Sequence, residues 1–140
     1  MKTEDYLKQI ERLDLMIEKK LEEITTLREL AMSISSVQKE VNVQTSGDKD
    51  QLGKAIAKIV DLEKEADGLI DEYVDKRQRI IRQIDKIPEK DQYRILLDRY
   101  VLQKFWGDIL DEWDCSRSKA LSVHKEALET FEKMYGHEYL

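Results

Sequence analysis

Residues 99–128 read RYVLQKFWGDILDEWDCSRSKALSVHKEAL, and this stretch decides the fold. Apolar residues recur at steps of three and four in two runs, 100–113 and 120–131, as they do on one face of a helix. The pattern breaks at Asp114. Ser116 then provides a good N-cap, because its hydroxyl can accept a hydrogen bond from a free backbone N–H of the next helix. The stretch therefore predicts two helices joined by a tight turn.

The second of these helices combines a buried stripe with a polar and basic exposed face. Two helices, a tight turn and such a face together describe a helix-turn-helix. An ordinary helical hairpin with a solvated face explains the same periodicity equally well. The choice between the two therefore depends on residue types and their spacing.

The residue types that bear on this choice are Arg99, Tyr100, Lys104, Trp106, Ile109, Glu112, Ser116, Arg117, His124, Ala127 and Leu128. In order and spacing they resemble region 4 of bacterial sigma factors. The resemblance is closer to the sigma-like, ArpU-type transcriptional regulators of phages and prophages of Gram-positive bacteria. The stretch LGKAIAKIVDL at 52–62, and the chain near Tyr6, are also similar to that family, so the resemblance covers most of the chain.

The chain departs from the family pattern at five positions. Asp114 stands where Gly is usual, and Gly accepts a positive φ more readily than Asp does. Phe105 replaces a capping Thr, Leu110 a small residue, Ala120 a Val, and Ser122 a basic residue. These departures bear on DNA binding more than on formation of the helix pair.

Two long helices are predicted before this module. Residues 3–34 and 51–87 carry apolar side chains at heptad spacing, and Pro88 ends the second helix because the residue before proline disfavours the helical region. A polar loop is expected at about 35–50, with a possible short strand near Val41. Helices of similar length joined by one loop predict an antiparallel hairpin, or coiled coil.

The expected seam of the second long helix consists of Leu52, Ile56, Ile59, Ala66, Ile70, Tyr73, Ile80, Ile84 and Ile87. Glu63 and Arg77 also fall on this seam, where charged residues weaken packing or determine register. A further short helix over 91–101 completes a three-helix module, and Gly136 is expected to end the last helix. The fold class is all-α, with the hairpin over 1–87 and the helix-turn-helix module over 88–140.

Composition narrows the function classes. A single cysteine, Cys115, excludes an internal disulfide and favours a reducing cytoplasm. No run approaches the roughly 18 apolar residues of a membrane span, and no signal peptide is visible. His124 and His137 lie far apart in sequence without a matching carboxylate pattern. We therefore expect no enzyme, no metal and no cofactor, with His124 as a packing residue.

Two segments are locally basic in a chain of net charge −6. Residues 76–86 hold five basic side chains against Asp85, which a solvated face would explain. Residues 115–128 hold three basic side chains against Glu126. This positive charge is small for a DNA-binding helix unless a dimer or a partner contributes further cations.

The resemblance implies a DNA-binding transcriptional regulator of phage or prophage type. The implied partners are double-stranded DNA and RNA polymerase, and the hairpin would either form a homo-oligomer or contact the polymerase. The implied DNA-binding residues are Ser116, Arg117, Ser118, Lys119, Ser122 and Lys125. The alternative is a coiled-coil interaction protein in which the helix-turn-helix is only a scaffold; the acidic net charge favours it.

Overall fold

The computed structural model describes residues 1–41 and 46–140, and all regular secondary structure in these ranges is helical. The helices are α1 (Thr3–Leu7), α2 (Gln9–Val41), α3 (Ser46–Asp85), α4 (Lys90–Leu96), α5 (Trp106–Trp113) and α6 (Arg117–Tyr139). A π-helical turn over Leu97–Val101 follows α4. The predicted all-α class is confirmed.

The long helices differ from their predicted bounds at both ends. The helix predicted over 3–34 is divided at Lys8 into α1 and α2, and α3 ends at Asp85 rather than at residue 87. Because α2 continues to Val41 and α3 begins at Ser46, the loop predicted over 35–50 was too long. Ser, Gln and Asn are weaker helix formers than Ala, but each costs well under about 1 kcal/mol, so a polar composition without proline does not end a helix. The suggested strand is helical at Val41, and its other residues, 42 and 43, lie outside the described residues.

The two long helices run antiparallel in the segment Asp14–Glu72. Ile24 on α2 is buried together with Leu62 and Ala66 on α3. Two ion pairs give the direction, because Lys20 pairs with Glu65 whereas Arg28, two turns later on α2, pairs with the earlier residue Glu63. These ion pairs are exposed and contribute little to stability, so the buried apolar side chains hold the pair together.

The seam predicted for α3 was wrong at two positions. The side chains of Ile56 and Ile70 are 50% and 39% exposed, whereas Ala55 and Leu62 are buried. Two stripes of apolar residues run side by side on α3, each at heptad spacing, although Glu63 and Asp67 interrupt the second. Periodicity alone does not say which of them faces α2. Glu63, predicted on the seam, lies at its edge, where it reaches Arg28.

The contacts divide the chain into two compact units, Asp14–Glu72 and a second that combines Met1–Leu13 with Tyr73–Leu140. We call the second the terminal unit. This division differs from the predicted boundary between residues 87 and 88. The last part of α3 and the first thirteen residues share one core with the C-terminal helices. That core consists of Tyr6, Leu7, Ile10, Ile80, Ile84, Ile87, Ile95, Leu96, Tyr100, Val101, Ala120, Val123, Ala127 and Phe131.

Direct contacts join the two ends of the chain in the terminal unit. The N-terminal amine donates to the carbonyl oxygen of Tyr139 at 3.0 Å, and the Tyr6 ring stacks on the Tyr139 ring with centroids 4.3 Å apart. The Tyr6 hydroxyl donates to the Gln83 side chain at 2.7 Å.

Gly136 was predicted to end the last helix, but it is buried within α6, which continues to Tyr139. The low helix propensity of glycine is outweighed here by the burial of Gly136 within the terminal unit.

The segment predicted as one helix over 91–101 changes its hydrogen bonding midway. Helix α4 begins after Glu89, whose carboxylate accepts from the backbone N–H groups of Asp91 and Gln92 at 3.2 and 2.7 Å. The π-helical turn then carries Tyr100 and Val101 into the core, and Gln103 after it has a φ of 55°. The backbone thereby changes direction before α5.

Candidate nucleic-acid interface

Helices α5 and α6 are joined by a three-residue turn whose geometry depends on Asp114. This residue has φ 48° and ψ 52°, in the left-handed region that favours Gly, and its N–H donates back to the end of α5. Asp is among the few non-glycine residues enriched in this region. Asp114 therefore adopts this left-handed conformation without a glycine.

The N-terminus of α6 is capped as predicted. The Ser116 backbone is extended, and its hydroxyl accepts from the Lys119 N–H at 3.2 Å. By contrast, Phe105, the N-cap residue of α5, makes no side-chain cap for that helix. Helix α5 therefore depends on tertiary contacts for its position.

Most of these contacts converge on Asp98, which is 7% exposed. Its carboxylate accepts from the Trp113 indole N–H at 3.0 Å and lies 3.6 Å from the Lys104 amine. Lys104 also pairs with Glu112 at 2.7 Å, and the Arg94 guanidinium lies over the Trp113 ring at 4.5 Å. Sequence analysis missed Asp98. A signal was present, since Arg94 and Asp98 have the i,i+4 spacing of a helical ion pair.

The predicted DNA-binding residues are all exposed at the N-cap and in the N-terminal half of α6. The exposed members are Ser116, Arg117, Ser118, Lys119, Ser122 and Lys125. The opposite side is buried through Ala120, Val123 and Ala127, all of which belong to the core of the terminal unit. All six predicted residues are therefore exposed at the N-terminal end of α6.

The six residues do not all point in one direction. At about 100° per residue, Ser118, Ser122 and Lys125 face away from the buried stripe, whereas Arg117 and Lys119 lie on its two flanks, roughly 160° apart. Leu121, which sequence analysis did not single out, lies between Arg117 and Lys125 and is 40% exposed. Leu121 could have been identified from the sequence, because it is an apolar side chain on an otherwise polar face.

The cations of this face are uncompensated. Among the described residues, no ion pair or hydrogen bond involves the side chain of Arg117, Lys119 or Lys125; the hydrogen bond from Lys119 to Ser116 uses its backbone N–H. In the segment Asp14–Glu72, by contrast, Lys20 and Arg28 are both paired with glutamates. The positive charge at the start of α6 is therefore available to a ligand.

His124 anchors this part of α6 to the rest of the terminal unit. Its Nε2 shares a 2.6 Å hydrogen bond with the Tyr100 hydroxyl, and Trp106 of α5 packs edge-on against its ring at 5.0 Å. Burial lowers the pKa of His124, although the charge of Glu4 acts in the opposite direction. Burial raises the pKa of the Tyr100 hydroxyl. Both groups are therefore neutral at pH 7, and His124 packs as predicted.

In the described part of the chain, no group of three or more His, Cys, Asp or Glu side chains is placed to hold a metal ion. The described helices include none long and apolar enough to cross a membrane. Comparisons with protein-family models, with curated proteins and with solved structures found no match to this chain.

Proposed function

We propose that the protein is a DNA-binding transcriptional regulator of phage or prophage type, in which α6 enters the major groove with its N-terminal half. The long helices would mediate oligomerisation or contact RNA polymerase. The observation that carries the proposal is the N-terminal half of α6, where three unpaired cations are exposed around a buried stripe, with Lys125 opposite the stripe and Arg117 and Lys119 on its flanks. A recognition helix needs this arrangement, because one face must pack while the other approaches base edges and phosphates.

The residues of this face divide into two roles in the proposed complex. Arg117 lies in the first turn of α6, and an arginine there can pair with O6 and N7 of guanine, which contributes about 1–3 kcal/mol of discrimination. Lys125 lies two turns further along and would meet phosphate. Leu121, exposed between them, would suit the methyl group of a thymine.

The test begins with selection of bound duplexes from a randomised DNA pool, followed by titration at about 100 mM salt. We expect Arg117→Ala to weaken the selected site roughly ten-fold or more and random DNA less, because base contacts specify sequence. Lys125→Ala should weaken both similarly. Lys133→Ala is the matched control, since this exposed cation lies on the C-terminal half of α6.

The acidic net charge of −6 favours a second candidate, a coiled-coil interaction module that binds no DNA. On that view the pool yields no enriched sequence, and the three substitutions behave alike. Enrichment of one sequence, lost in the folded Arg117→Ala variant and kept in Lys133→Ala, would decide for DNA recognition.

A further inference from the structure

Helix α3 carries an apolar stripe beside the one that packs on α2. Its apolar members are Ile56 and Val60 and, further along, Ile70 and Val74, with side chains between 39% and 54% exposed; Glu63 and Asp67 occupy the heptad positions between the two pairs. A helix that covers one neighbour needs a single stripe. The second stripe, about 90° around the helix from the first, is the pattern of a helix with another partner.

The charges of α3 are segregated along its length. Residues 61–75 hold seven acidic side chains and Lys64, whereas residues 76–86 hold five basic side chains and Asp85. Within the described residues, the basic segment makes a single ion pair, between Arg79 and Glu138 at 3.7 Å. Most of its positive charge is therefore uncompensated.

A groove on the terminal unit combines these two features. Its lining consists of Tyr73, Val74, Arg77, Gln78, Ile81 and Arg82. The apolar members are exposed or half-buried, and two arginines without ion pairs lie beside them. The chemistry of this groove fits an acidic helix with one apolar edge.

We infer that this groove binds the acidic stretch of α3 from a second copy of the chain, with the two α3 helices antiparallel. Around a two-fold axis near residue 72, Ile70 of each copy meets Val74 of the other, and Asp67 of each copy meets Arg77 of the other. Both pairs satisfy one register and lie on the same stripe. A patch that complements itself in this way is what a two-fold interface requires.

The antiparallel direction follows from the charges. A parallel pairing would place the acidic segments against each other and the basic segments against each other, and like charges at an interface are unfavourable. A second copy is the occupant because α3 itself supplies the complementary acidic helix with the exposed Ile70. The inference deepens the oligomerisation part of the proposed function and does not depend on DNA binding.

The test measures the mass of the full chain by sedimentation equilibrium across micromolar concentrations. We expect twice the chain mass of 16.6 kDa for the parent protein. Arg77→Glu and Asp67→Lys, each of which creates two like-charge contacts per dimer, should weaken the dimer roughly ten-fold or more. The double variant with both substitutions should restore it, because the charges are exchanged.

Glu72→Lys provides the matched control. It changes net charge as Asp67→Lys does, but it lies about 140° further around the helix and off the stripe. Circular dichroism checks that each variant is helical. A monomeric parent protein, an equal loss in Glu72→Lys, or a double variant no better than the single variants would overturn the inference. DNA binding is scored separately by titration, so failure of the dimer and failure of DNA recognition are distinguishable.

Discussion

Leu7→Ala tests whether the N-terminus is part of the C-terminal module. Leu7 has no exposed surface and belongs to one core with Ile84, Ala127 and Phe131. Truncation of a fully buried leucine to alanine loses the transfer energy of the removed atoms and leaves a cavity, at a cost of about 2–5 kcal/mol. We expect the lower free energy of unfolding to affect the whole terminal unit, because its helices share this core.

The chain offers a local reporter for this effect. Its two tryptophans, Trp106 and Trp113, are both on α5, about a hundred residues from Leu7 in sequence but in the same unit. Urea unfolding followed by tryptophan fluorescence should therefore move to a lower midpoint by about 1 M or more, given a slope of about 1–3 kcal/mol per M.

Leu30→Ala serves as the control. Leu30 is 51% exposed and lies in the other unit, so its truncation should change the tryptophan transition little. An unchanged tryptophan transition in Leu7→Ala would refute the shared core. It would favour an independent module over 88–140.

Three further predictions concern the turn, the pH response and the position of α5. Asp114→Ala should destabilise the protein by about 1 kcal/mol and Asp114→Gly should not, since Ala is strained at φ 48° whereas Asp is tolerated there and Gly is free of strain; equal urea midpoints would contradict this. Because the pKa of His124 is lowered on folding, its contribution is complete above the unfolded pKa near 6.5 and is lost as pH falls towards the folded pKa. Thermal unfolding at pH 7 and 5.5 should therefore show a larger loss in the parent protein than in His124→Gln. Asp98→Ala should destabilise more than Asp98→Asn, because Asn keeps an acceptor for the Trp113 N–H; the reverse order would exclude that hydrogen bond as the anchor.

Local signals predicted the parts of the fold that local interactions decide. The Ser116 cap uses groups within three residues, and the end of α3 before Pro88 follows from backbone sterics. The antiparallel pairing of the long helices followed from their matching length. The exposed face of α6 could also be predicted from the sequence, because the apolar stripe that is buried determines which residues remain exposed.

The features that sequence analysis missed depend on distant contacts. Nothing near Tyr6 indicates that it stacks on Tyr139, and nothing near Gly136 indicates that packing continues α6 past it. Periodicity finds apolar stripes but not their partners, which is why Ile56 and Ile70 were placed on the wrong seam. Asp98 was missed because its main partner, Trp113, lies fifteen residues away on another helix.

The two halves of α6 are held by different parts of the chain, and these two anchors determine the orientation of its exposed face. The C-terminal half is held by α1 through Tyr139, whereas the N-terminal half is held by the π-helical turn through Tyr100 and His124. Since neither anchor uses the exposed cations, both can be altered without touching them. In the proposed complex, a substitution in α1 that loosens α6 would therefore weaken DNA binding although it removes no DNA contact. In that complex, the exposed face and the residues of α1 would act as one functional element.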